Sequence, residues 1–468
     1  MRTLFAVLLI LAATLFSFAG NPNVLLILVD DMGFGDSHCF NADSKIDTPN
    51  IDALAADGMQ FTDAHAPGPL CHLSRYGLMT GTYPFRTNVS VWPKQAVIRN
   101  DEDTIAKLLS RNGYDTAMVG KWHLGFREDG YENPLPGGPV DRGFDSYFGI
   151  RASTDIPPYF FIRNNRAVIP PTGEIEANTS DGWSPIQGAF WRAGGIAPDL
   201  KLEEVTPRFT EEAVTVISQH GGEKPLFLYL AYPSPHTPWL PMGEFEGSGE
   251  VGMYGDFMTM VDAEIGEVLA ALDDAGMTED TLVIFTSDNG PVWYDEDVKR
   301  FGHDSVAGLR GMKSDAWEGG HRMPFVVRWP NVVEAGSVSD KTISFTDTMA
   351  TLAEAVGEDL VPESGPDSYS FLSALKGAPL QSRPPIVLQS GGKLMTIRSG
   401  NWKLIEGLGS GGFSKPSKIA PEPGGPKGQL YNLAADPGET TNLYSERPDL
   451  VESLSKDMAE IVTGSLPR

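Results

Sequence analysis

The chain has 468 residues, enough to bury a large core and to form more than one domain, and its hydrophobic content of 41% is that of an ordinary globular protein. Its formal net charge of −26 produces a field that repels nucleic acid and anionic membranes, which argues against both as partners. The same field repels polyanions, so a site for an anionic substrate must be built from a local cluster of cations.

Residues 1–20 have the pattern of a secretory signal peptide. Arg2 precedes an apolar run over residues 4–13, and small residues lead to a predicted cleavage after Ala19 or Gly20. The run is short for a transmembrane anchor and no cationic stop follows it, so we expect no membrane anchor. The sequence therefore predicts a secreted or periplasmic protein.

Strand and helix patterns alternate along most of the chain. A continuous apolar run, typical of a strand buried on both faces of a parallel sheet, occupies residues 24–29, and further strands are predicted at 114–119, 225–231, 281–286 and 325–329. Helices are expected at residues 48–58, from Cys71 onward, and at 103–112, 260–275 and 344–356. This alternation predicts an α/β fold with helices on both faces of a large, mostly parallel sheet.

The C-terminal part has a different pattern. Residues 357–385 are rich in Gly, Pro, Ser and acidic residues and are interpreted as a junction. Short strands are predicted at residues 385–388, 394–398, 402–405 and 429–433, followed by a helix at 449–462. We therefore expect a main domain at 21–375 and a smaller α+β domain with a short antiparallel sheet at 380–468.

Polar side chains follow four predicted strands at the point where each strand ends. They are Asp30 with Asp31, Lys121 with His123, His236, and Asp288 with Asn289. Each group alone has a plain structural explanation, such as a turn or a helix cap. In open α/β sheets, however, ligands bind at the carboxyl edge, and four such groups on one edge favour a site there.

The carboxylates of that edge indicate a metal. Asp30, Asp31, Asp288 and the amide oxygen of Asn289 form an oxygen-only donor set, which suits Ca²⁺ or Mg²⁺ rather than zinc. Carboxylates placed so close together need a divalent ion to offset their repulsion.

Cys71 is the candidate nucleophile. It stands at the predicted start of a short helix, where unpaired N–H groups and the macrodipole favour anions, and Arg75 lies one turn on. A lone cysteine is more often a small buried hydrophobe. A metal, a nucleophile and surrounding cations, which include Lys121 and Lys313, together indicate displacement at sulfur or phosphorus. With Cys39, Cys71 makes one disulfide possible by count.

The ordered motifs resemble those of the type I sulfatases of the alkaline-phosphatase superfamily over nearly the whole chain. The matching stretches are residues 23–36, 48–58, 71–86, 120–125, 142–145, 234–238, 287–290, 309–313, 317–324 and 429–443. The resemblance implies an alkaline-phosphatase-like three-layer α/β/α sandwich with a smaller C-terminal domain.

The resemblance also implies a mechanism. A maturation enzyme would convert Cys71 to formylglycine, whose hydrated aldehyde attacks the sulfur of a sulfate ester beside a metal ion, usually calcium and less often magnesium. Asp30, Asp31, Asp288 and Asn289 would hold the ion, and the residue derived from Cys71 would complete the metal site.

The surrounding cations receive roles from the same resemblance. Arg75 and Lys121 would fix the hydrate, and His123 would assist breakdown of the sulfated intermediate. His236 and Lys313 would bind sulfate oxygens and protonate the leaving group. These roles suit an imidazole that titrates near neutrality and lysines that act as point charges.

Leu73 departs from the family's modification motif, which has proline or alanine two residues after the cysteine. Three interpretations remain open. A maturation enzyme accepts leucine; or Cys71 stays a thiol in a calcium-dependent, sulfate-binding relative without turnover; or the thiolate acts on a phosphate ester, which a soft nucleophile beside a hard ion disfavours. Residue 71 therefore separates an active hydrolase from a binding protein.

The substrate is predicted only by class. Asp155 lies in a long connection that resembles the insertion on the leaving-group side of family members, where it could accept hydrogen bonds from sugar hydroxyls, or it could cap the loop. Four tryptophans could stack on sugar faces, although aromatic residues are more often core: Trp92, Trp183, Trp191 and Trp239. We expect a carbohydrate sulfate rather than a small aryl sulfate.

Overall fold

The computed structural model describes residues 20–90, 92–380 and 383–464. The predicted signal peptide lies outside this part, apart from Gly20. Within these ranges, no helix is both long and apolar enough to cross a membrane.

Seventeen strands form three sheets within the described residues. The largest sheet has eleven strands and the C-terminal sheet has four. The strands are β1 (Asn23–Asp30), β2 (Met59–His65), β3 (Asp115–Lys121), β4 (Ser146–Ile150), β5 (Ile162–Arg163), β6 (Arg166–Ala167), β7 (Gly173–Ile175), β8 (Gly194–Ile196), β9 (Leu226–Pro235), β10 (Thr281–Ser287), β11 (Arg322–Arg328), β12 (Ser337–Ser339), β13 (Ile343–Ser344), β14 (Ile386–Gln389), β15 (Met395–Ser399), β16 (Trp402–Ile405) and β17 (Gln429–Asn432).

Ten α-helices accompany these sheets in the same part of the chain. They are α1 (Pro49–Ala56), α2 (Cys71–Thr80), α3 (Ile105–Arg111), α4 (Val205–Ser218), α5 (Gly252–Asp274), α6 (Asp295–Phe301), α7 (Glu318–His321), α8 (Asp347–Val356), α9 (Leu372–Leu375) and α10 (Pro448–Thr463). Helices α1, α4 and α5 pack together in one layer, and α2, α3 and α8 in another. The predicted α/β fold with a large sheet between helices is confirmed.

The centre of the large sheet is parallel, in the order β10-β1-β9-β3-β4. Leu26 of β1 pairs with Ile284 on one side and with Tyr229 on the other, and its side chain is fully buried. Strands that are buried on both faces need a continuous apolar sequence, which explains why β1, β9 and β10 could be predicted from the sequence. Their carboxyl ends consequently lie at one edge of the sheet.

The C-terminal strands β14 to β17 form a separate antiparallel meander against which α10 packs. Its core joins Val387 and Leu404 of the sheet to Leu454 and Met458 of the helix. The four short strands and the final helix are those predicted from sequence. The domain boundaries at 375 and 380 remain a prediction.

Several elements have no counterpart in the sequence analysis: strands β2, β4 to β8, β12 and β13, and helices α4, α6, α7 and α9. Strands β2 and β4 and helix α4 lack a continuous apolar run, and β2 alternates buried and half-buried residues over its first four positions. Helix α5 begins at Gly252 rather than at residue 260, because tertiary packing overrides the two glycines of its first turn. Strand β11 runs antiparallel to β10, so the sheet is mixed at that side.

Candidate active site

The ends of β1 and β10 bring four oxygen donors together. Asp30 ends β1, and Asp31 follows it with a φ of 67°, which turns the second carboxylate toward the same space. Beside it, Asp288 and Asn289 directly follow β10. The backbone N–H of Asp31 donates to Asp288 Oδ1 at 3.3 Å, and Asn289 Nδ2 donates to Asp31 Oδ1 at 2.6 Å. The four predicted metal ligands are therefore neighbours.

This donor set fits a hard divalent cation. All four residues are buried, and Asn289 Oδ1 accepts no hydrogen bond from any residue in the described part of the chain. Burial and the negative charge of Asp30 raise the pKa of Asp288 to about 6. A bound cation would satisfy the orphan oxygen and offset the carboxylate repulsion, as oxygen-rich calcium sites do.

Cys71 occupies the first position of α2, after the extended residue Leu70. Its Sγ lies 3.5 Å from Asp30 Oδ1 and 3.4 Å from Lys313 Nζ, and only 4% of the residue is exposed. Burial and the charge of Asp30 raise the pKa of the thiol above its ordinary range. As a cysteine, residue 71 is therefore held in the protonated, weakly nucleophilic form.

Arg75 ties the helix to both strand ends. It lies one turn after Cys71, where helical geometry places it on the same face. Its Nε donates to Asp288 Oδ2 at 2.9 Å, and its terminal nitrogens donate to Asp30 Oδ2 at 2.8 Å and to the Lys121 carbonyl at 2.9 Å. Burial opposes the charge of this guanidinium, but the two carboxylates outweigh burial and raise its pKa.

Lys121 is the last residue of β3, and its buried ammonium pairs with Asp30. Burial alone would raise the pKa of Asp30, but the charges of Lys121 and Arg75 hold it well below its usual range. Lys121 Nζ also donates to Ser153 Oγ at 2.6 Å. Ser153 follows β4, a strand that the sequence analysis missed, and so reaches the same edge.

His123 follows β3 in a left-handed backbone conformation, with a φ of 57°. Such a conformation is unusual for a residue with a ring and is typical of sites where position matters more than local stability. The buried ring lies 5.8 Å from that of His72, centroid to centroid. Burial, with Lys121 and Lys313 nearby, lowers the pKa of His72 to about 3, so this neighbour is neutral.

Lys313 and His236 close the site from two loops. Lys313 Nζ donates to both oxygens of Asp31, at 2.6 and 2.7 Å, and this ion pair raises its pKa despite burial. His236 Nδ1 donates to the Thr237 carbonyl at 2.7 Å. Because a carbonyl only accepts, Nδ1 carries a hydrogen, and Nε2 is the atom that lies 3.7 Å from Asp31.

Asp155 lies at the outer side of His236, with 4.0 Å between Oδ1 and the imidazole Nδ1. Its carboxylate pairs with Arg192, and the Arg192 guanidinium stands 5.2 Å from the ring centroid of Trp92. Trp92 is 48% exposed. The sequence analysis missed Arg192, and nothing local could have revealed it, because the two residues are 37 positions apart and meet only through the fold of the chain between them.

The structure also shows the state of the two cysteines and the surroundings of two of the tryptophans named from the sequence. Both cysteines are free thiols, and Cys39 Sγ lies 3.3 Å from Ser37 Oγ. Trp239 is buried in an aromatic cluster with Trp293, and Trp183 packs against both rings but is only partly buried.

Together these elements assemble a compact polar centre. Three carboxylates and three cations alternate around the first residue of a helix, at the carboxyl edge of a mostly parallel sheet. A tetrahedral oxyanion and a divalent cation complement this arrangement. Such a centre is suited to displacement at the sulfur or phosphorus of an ester.

The comparison with protein families agrees. The family model described as sulfatase matches residues 22–358, and the chain belongs to that family. It is 34% identical to an N-acetylgalactosamine-6-O-sulfatase of Bacteroides thetaiotaomicron, with 94% of this chain and 93% of the relative aligned. Arylsulfatase A of Homo sapiens is 31% identical over 96% of this chain and 89% of that protein. The protein is a sulfatase, an enzyme that hydrolyses sulfate esters.

Solved structures give the same fold. A structure from work on glycosaminoglycan metabolism in Bacteroides thetaiotaomicron superposes with a TM-score of 0.85 at 33% identity, covering 95% of this chain and 100% of that one. A structure in complex with a neocarrahexaose superposes with a TM-score of 0.74 at 25% identity, covering 94% and 93%.

Proposed function

We propose that this sulfatase removes sulfate from a sulfated carbohydrate, using a formylglycine derived from Cys71 and a calcium ion held by Asp30, Asp31, Asp288 and Asn289. The observation that carries the proposal is the position of Cys71 Sγ, 3.5 Å from Asp30 Oδ1 and 3.4 Å from Lys313 Nζ. Residue 71 is thus within reach of both the metal ligands and a cation for the sulfate.

Charge balance explains why such a centre selects an anion. Asp30, Asp31 and Asp288 are matched in number by Arg75, Lys121 and Lys313. A divalent ion adds two positive charges, which a sulfate ester and the released sulfate then offset. The local field is therefore attractive to sulfate although the whole protein carries a net charge of −26.

A formylglycine at position 71 would supply a hydrated aldehyde as nucleophile, and a calcium ion would supply a Lewis acid that stabilises negative charge on oxygen. The chain's own residues provide the rest. Arg75 holds Asp30 and Asp288 in place, and Lys121, hydrogen-bonded to Ser153, lies beside Asp30 to screen charge at residue 71. Their fixed positions avoid reorganisation when charge develops.

The imidazoles of His123 and His236 are proposed to carry out the proton transfers. The ring of His123 lies 5.8 Å from that of His72, the neighbour of residue 71 in sequence, and His123 is proposed to accept a proton from residue 71. His236 presents Nε2 to the site and, with the Lys313 ammonium, is proposed to bind sulfate oxygens and to protonate the leaving alcohol. An imidazole is suited to both tasks because its ordinary pKa lies near neutrality.

The leaving-group side supports a carbohydrate. Asp155, Arg192 and Trp92 form a rim of carboxylate, guanidinium and exposed indole next to His236. Carboxylates and guanidiniums bind hydroxyls, and an indole packs on apolar faces of a ring. The relatives named for N-acetylgalactosamine-6-sulfate and the neighbour solved with a neocarrahexaose support the same substrate class.

Maturation is proposed to precede folding and export. Residue 71 is buried in the folded chain, so a maturation enzyme reaches it only before the site closes. Leu73 is half-buried in the first helical turn, where backbone N–H groups have no intrahelical partner. Leucine and proline are both compatible with that turn, so the fold itself does not oppose the variant motif. The pattern of residues 1–20 supports secretion or transfer to the periplasm.

A second candidate function, calcium-dependent binding of sulfated glycans without turnover, is favoured only by Leu73. In that case residue 71 stays a thiol, and its raised pKa makes it a poor nucleophile toward phosphate or sulfate esters alike.

The test is mass spectrometry of the peptide that contains residue 71, from protein secreted by its natural host, with the Cys39 peptide as an internal control. We expect an aldehyde, trapped by a hydrazine reagent, at position 71 and a thiol at position 39. The same material should release sulfate from N-acetylgalactosamine-6-sulfate, and C71A should not. A thiol at both positions, together with retained glycan binding, would replace the hydrolase with the binding protein.

A further inference from the structure

The C-terminal signature at residues 429–443 has no part in the proposed chemistry, yet it contacts the segment that carries Lys313. That segment, residues 310–319, is called the lysine loop. It is closed at its base by a hydrogen bond of 2.7 Å from the Gly319 N–H to the Arg310 carbonyl. Apart from the first residues of α7 it has no regular structure, so external partners must fix its backbone.

Two kinds of partner hold the lysine loop. On the side of the large sheet, the N–H groups of Lys313 and Ser314 donate to the carbonyls of Pro291 and Pro69, at 2.9 and 2.7 Å. On the side of the C-terminal sheet, the Ala316 N–H donates to the Ser410 carbonyl at 2.7 Å. The loop that supplies Lys313 is thus shared between two sheets.

Glu439 contacts both ends of this loop. Its Oε2 accepts a hydrogen bond of 2.7 Å from the Glu318 N–H, and its carbonyl accepts one of 2.6 Å from the Arg310 guanidinium. That guanidinium lies 3.7 Å from the ring centroid of Trp317, within the loop. Glu439 is fully buried and has a φ of 51°, a conformation that turns its carbonyl and its side chain toward the same segment.

We propose that Glu439 is a positioning residue for Lys313: it fixes the base of the lysine loop and thereby keeps the Lys313 ammonium on Asp31 and next to residue 71. The proposal rests on the sulfate-binding role proposed for Lys313. Glu439 does not touch the reacting atoms, and it acts only through the loop.

For fixing the lysine loop, the hydrogen bond that Glu439 accepts matters more than the negative charge of its carboxylate. Lys403 Nζ lies 2.9 Å from Glu439 Oε1 and donates to Glu318 Oε1 at 3.0 Å, so one lysine faces two carboxylates. Burial and the charge of Glu318 raise the pKa of Glu439 to about 7 despite Lys403. A neutral acceptor of the same shape should therefore serve the loop nearly as well.

The experiment compares E439A and E439Q with the wild type, and E446A, an exposed glutamate of the same region, is the control. The first measurement is acetylation of lysines by an amine reagent, followed by peptide mass spectrometry. In E439A we expect labelling of the buried Lys313 to rise about tenfold, because the loop is released, while E439Q and E446A stay like the wild type. Exposed Lys299 and buried Lys121 serve as references within each sample.

The second measurement is hydrolysis of a sulfated substrate. Because a displacement of about 1 Å can cost a hundredfold in rate, we expect kcat of E439A to fall about tenfold to a hundredfold, and kcat of E439Q to stay within about threefold of the wild type. Unchanged Lys313 labelling in E439A, or Lys121 labelling that rises equally through general unfolding, would overturn the proposal. An inactive wild type would reject the proposed function instead, and the labelling result would still decide the role of Glu439.

Discussion

The protein buries two dense clusters of paired charge that differ in whether they leave an oxygen donor open to a ligand. The active-site cluster comprises Asp30, Asp31, Arg75, Lys121, Asp288, Asn289 and Lys313. The inter-sheet cluster joins the large sheet to the C-terminal sheet and comprises Asp63, His65, Glu318, His321, Arg398, Lys403 and Glu439.

In the inter-sheet cluster, three buried atoms lack a hydrogen bond within the described part of the chain, Glu318 Oε2, Arg398 Nε and Glu439 Oε1, but each lies within 3.7 Å of an opposite charge. Asp63 accepts both hydrogen bonds of Arg398 at 2.9 Å and pairs with His65, and Lys403 donates to Glu318 and to His321 Nε2. The active-site cluster instead keeps an amide oxygen of Asn289 unpaired among the described residues and opens toward the half-buried His236. Both clusters pair their charges, and the comparison teaches that the active site is distinguished by an oxygen donor without a protein partner in the described ranges and by an opening toward solvent.

Removal of divalent ions should have the largest effect on activity and should act on the active-site cluster only. Dialysis against a chelator should reduce sulfatase activity at least about a hundredfold and should lower stability by about 3 kcal/mol relative to protein kept in calcium at a hundred times its Kd. Calcium should restore both, and magnesium less. Hydrogen exchange should increase at the ends of β1 and β10 but not in β16. Full activity after exhaustive chelation would contradict the metal site.

Loss of Lys403 should break the other cluster. K403M removes the ammonium closest to both Glu318 and Glu439 and leaves Glu318 with the more distant guanidiniums of Arg322 and Arg398. Removing one partner of a buried ion pair costs about 3–5 kcal/mol. Chemical denaturation should show this loss, whereas K299M, at an exposed lysine, should change stability by less than about 0.5 kcal/mol. Equal stability of both variants would show that the inter-sheet cluster contributes no cohesion.

Asp63 should make the stability that the inter-sheet cluster contributes depend on pH. Burial opposes its ionisation, but His65 and Arg398 outweigh burial and hold the pKa of Asp63 below its ordinary range. A carboxylate whose pKa is lowered by folding stabilises the protein at pH values above its unfolded-state pKa of about 3.9. This stabilisation is lost as the pH falls toward the folded-state pKa.

We therefore expect D63N to cost about 2 kcal/mol at neutral pH, typical of hydrogen bonds to charged groups. The difference from the wild type should shrink below pH 4, as measured by thermal unfolding from pH 3 to 7. A difference that stays constant across this range would assign the effect to packing rather than to charge.

The smallest effect on activity should come from a change in the rim formed by Asp155, Arg192 and Trp92. R192A removes a half-exposed partner of Asp155, and such pairs contribute up to about 1 kcal/mol, so we expect about a fivefold fall in kcat/KM for a sulfated sugar. Hydrolysis of a small aryl sulfate should not change, because it lacks the hydroxyls that Asp155 would bind. An equal loss on both substrates would place Arg192 in the structure of the site rather than in sugar recognition.

Much of the fold could be predicted because its signals are local. The parallel core strands are long apolar runs, and the donor types at their ends follow directly in sequence, as with Asp30 after β1 and Asp288 after β10. Strands β2 and β4 could not be predicted, because their sequences lack a continuous apolar run. Ser153 was not recognised as a partner of Lys121 for the same reason, since its position follows from β4.

By itself, the sequence determined the central strands, the chemical types of the site residues and the place of Cys71 at a helix start, since each depends on neighbours within a few positions. Only the tertiary structure decided that Lys403 balances two carboxylates, that Arg192 pairs with Asp155, and that Glu439 reaches the backbone of Glu318 across 121 positions of sequence. Such contacts depend on how two sheets dock, and no local pattern of residues encodes the partner of a side chain that lies so far away along the chain.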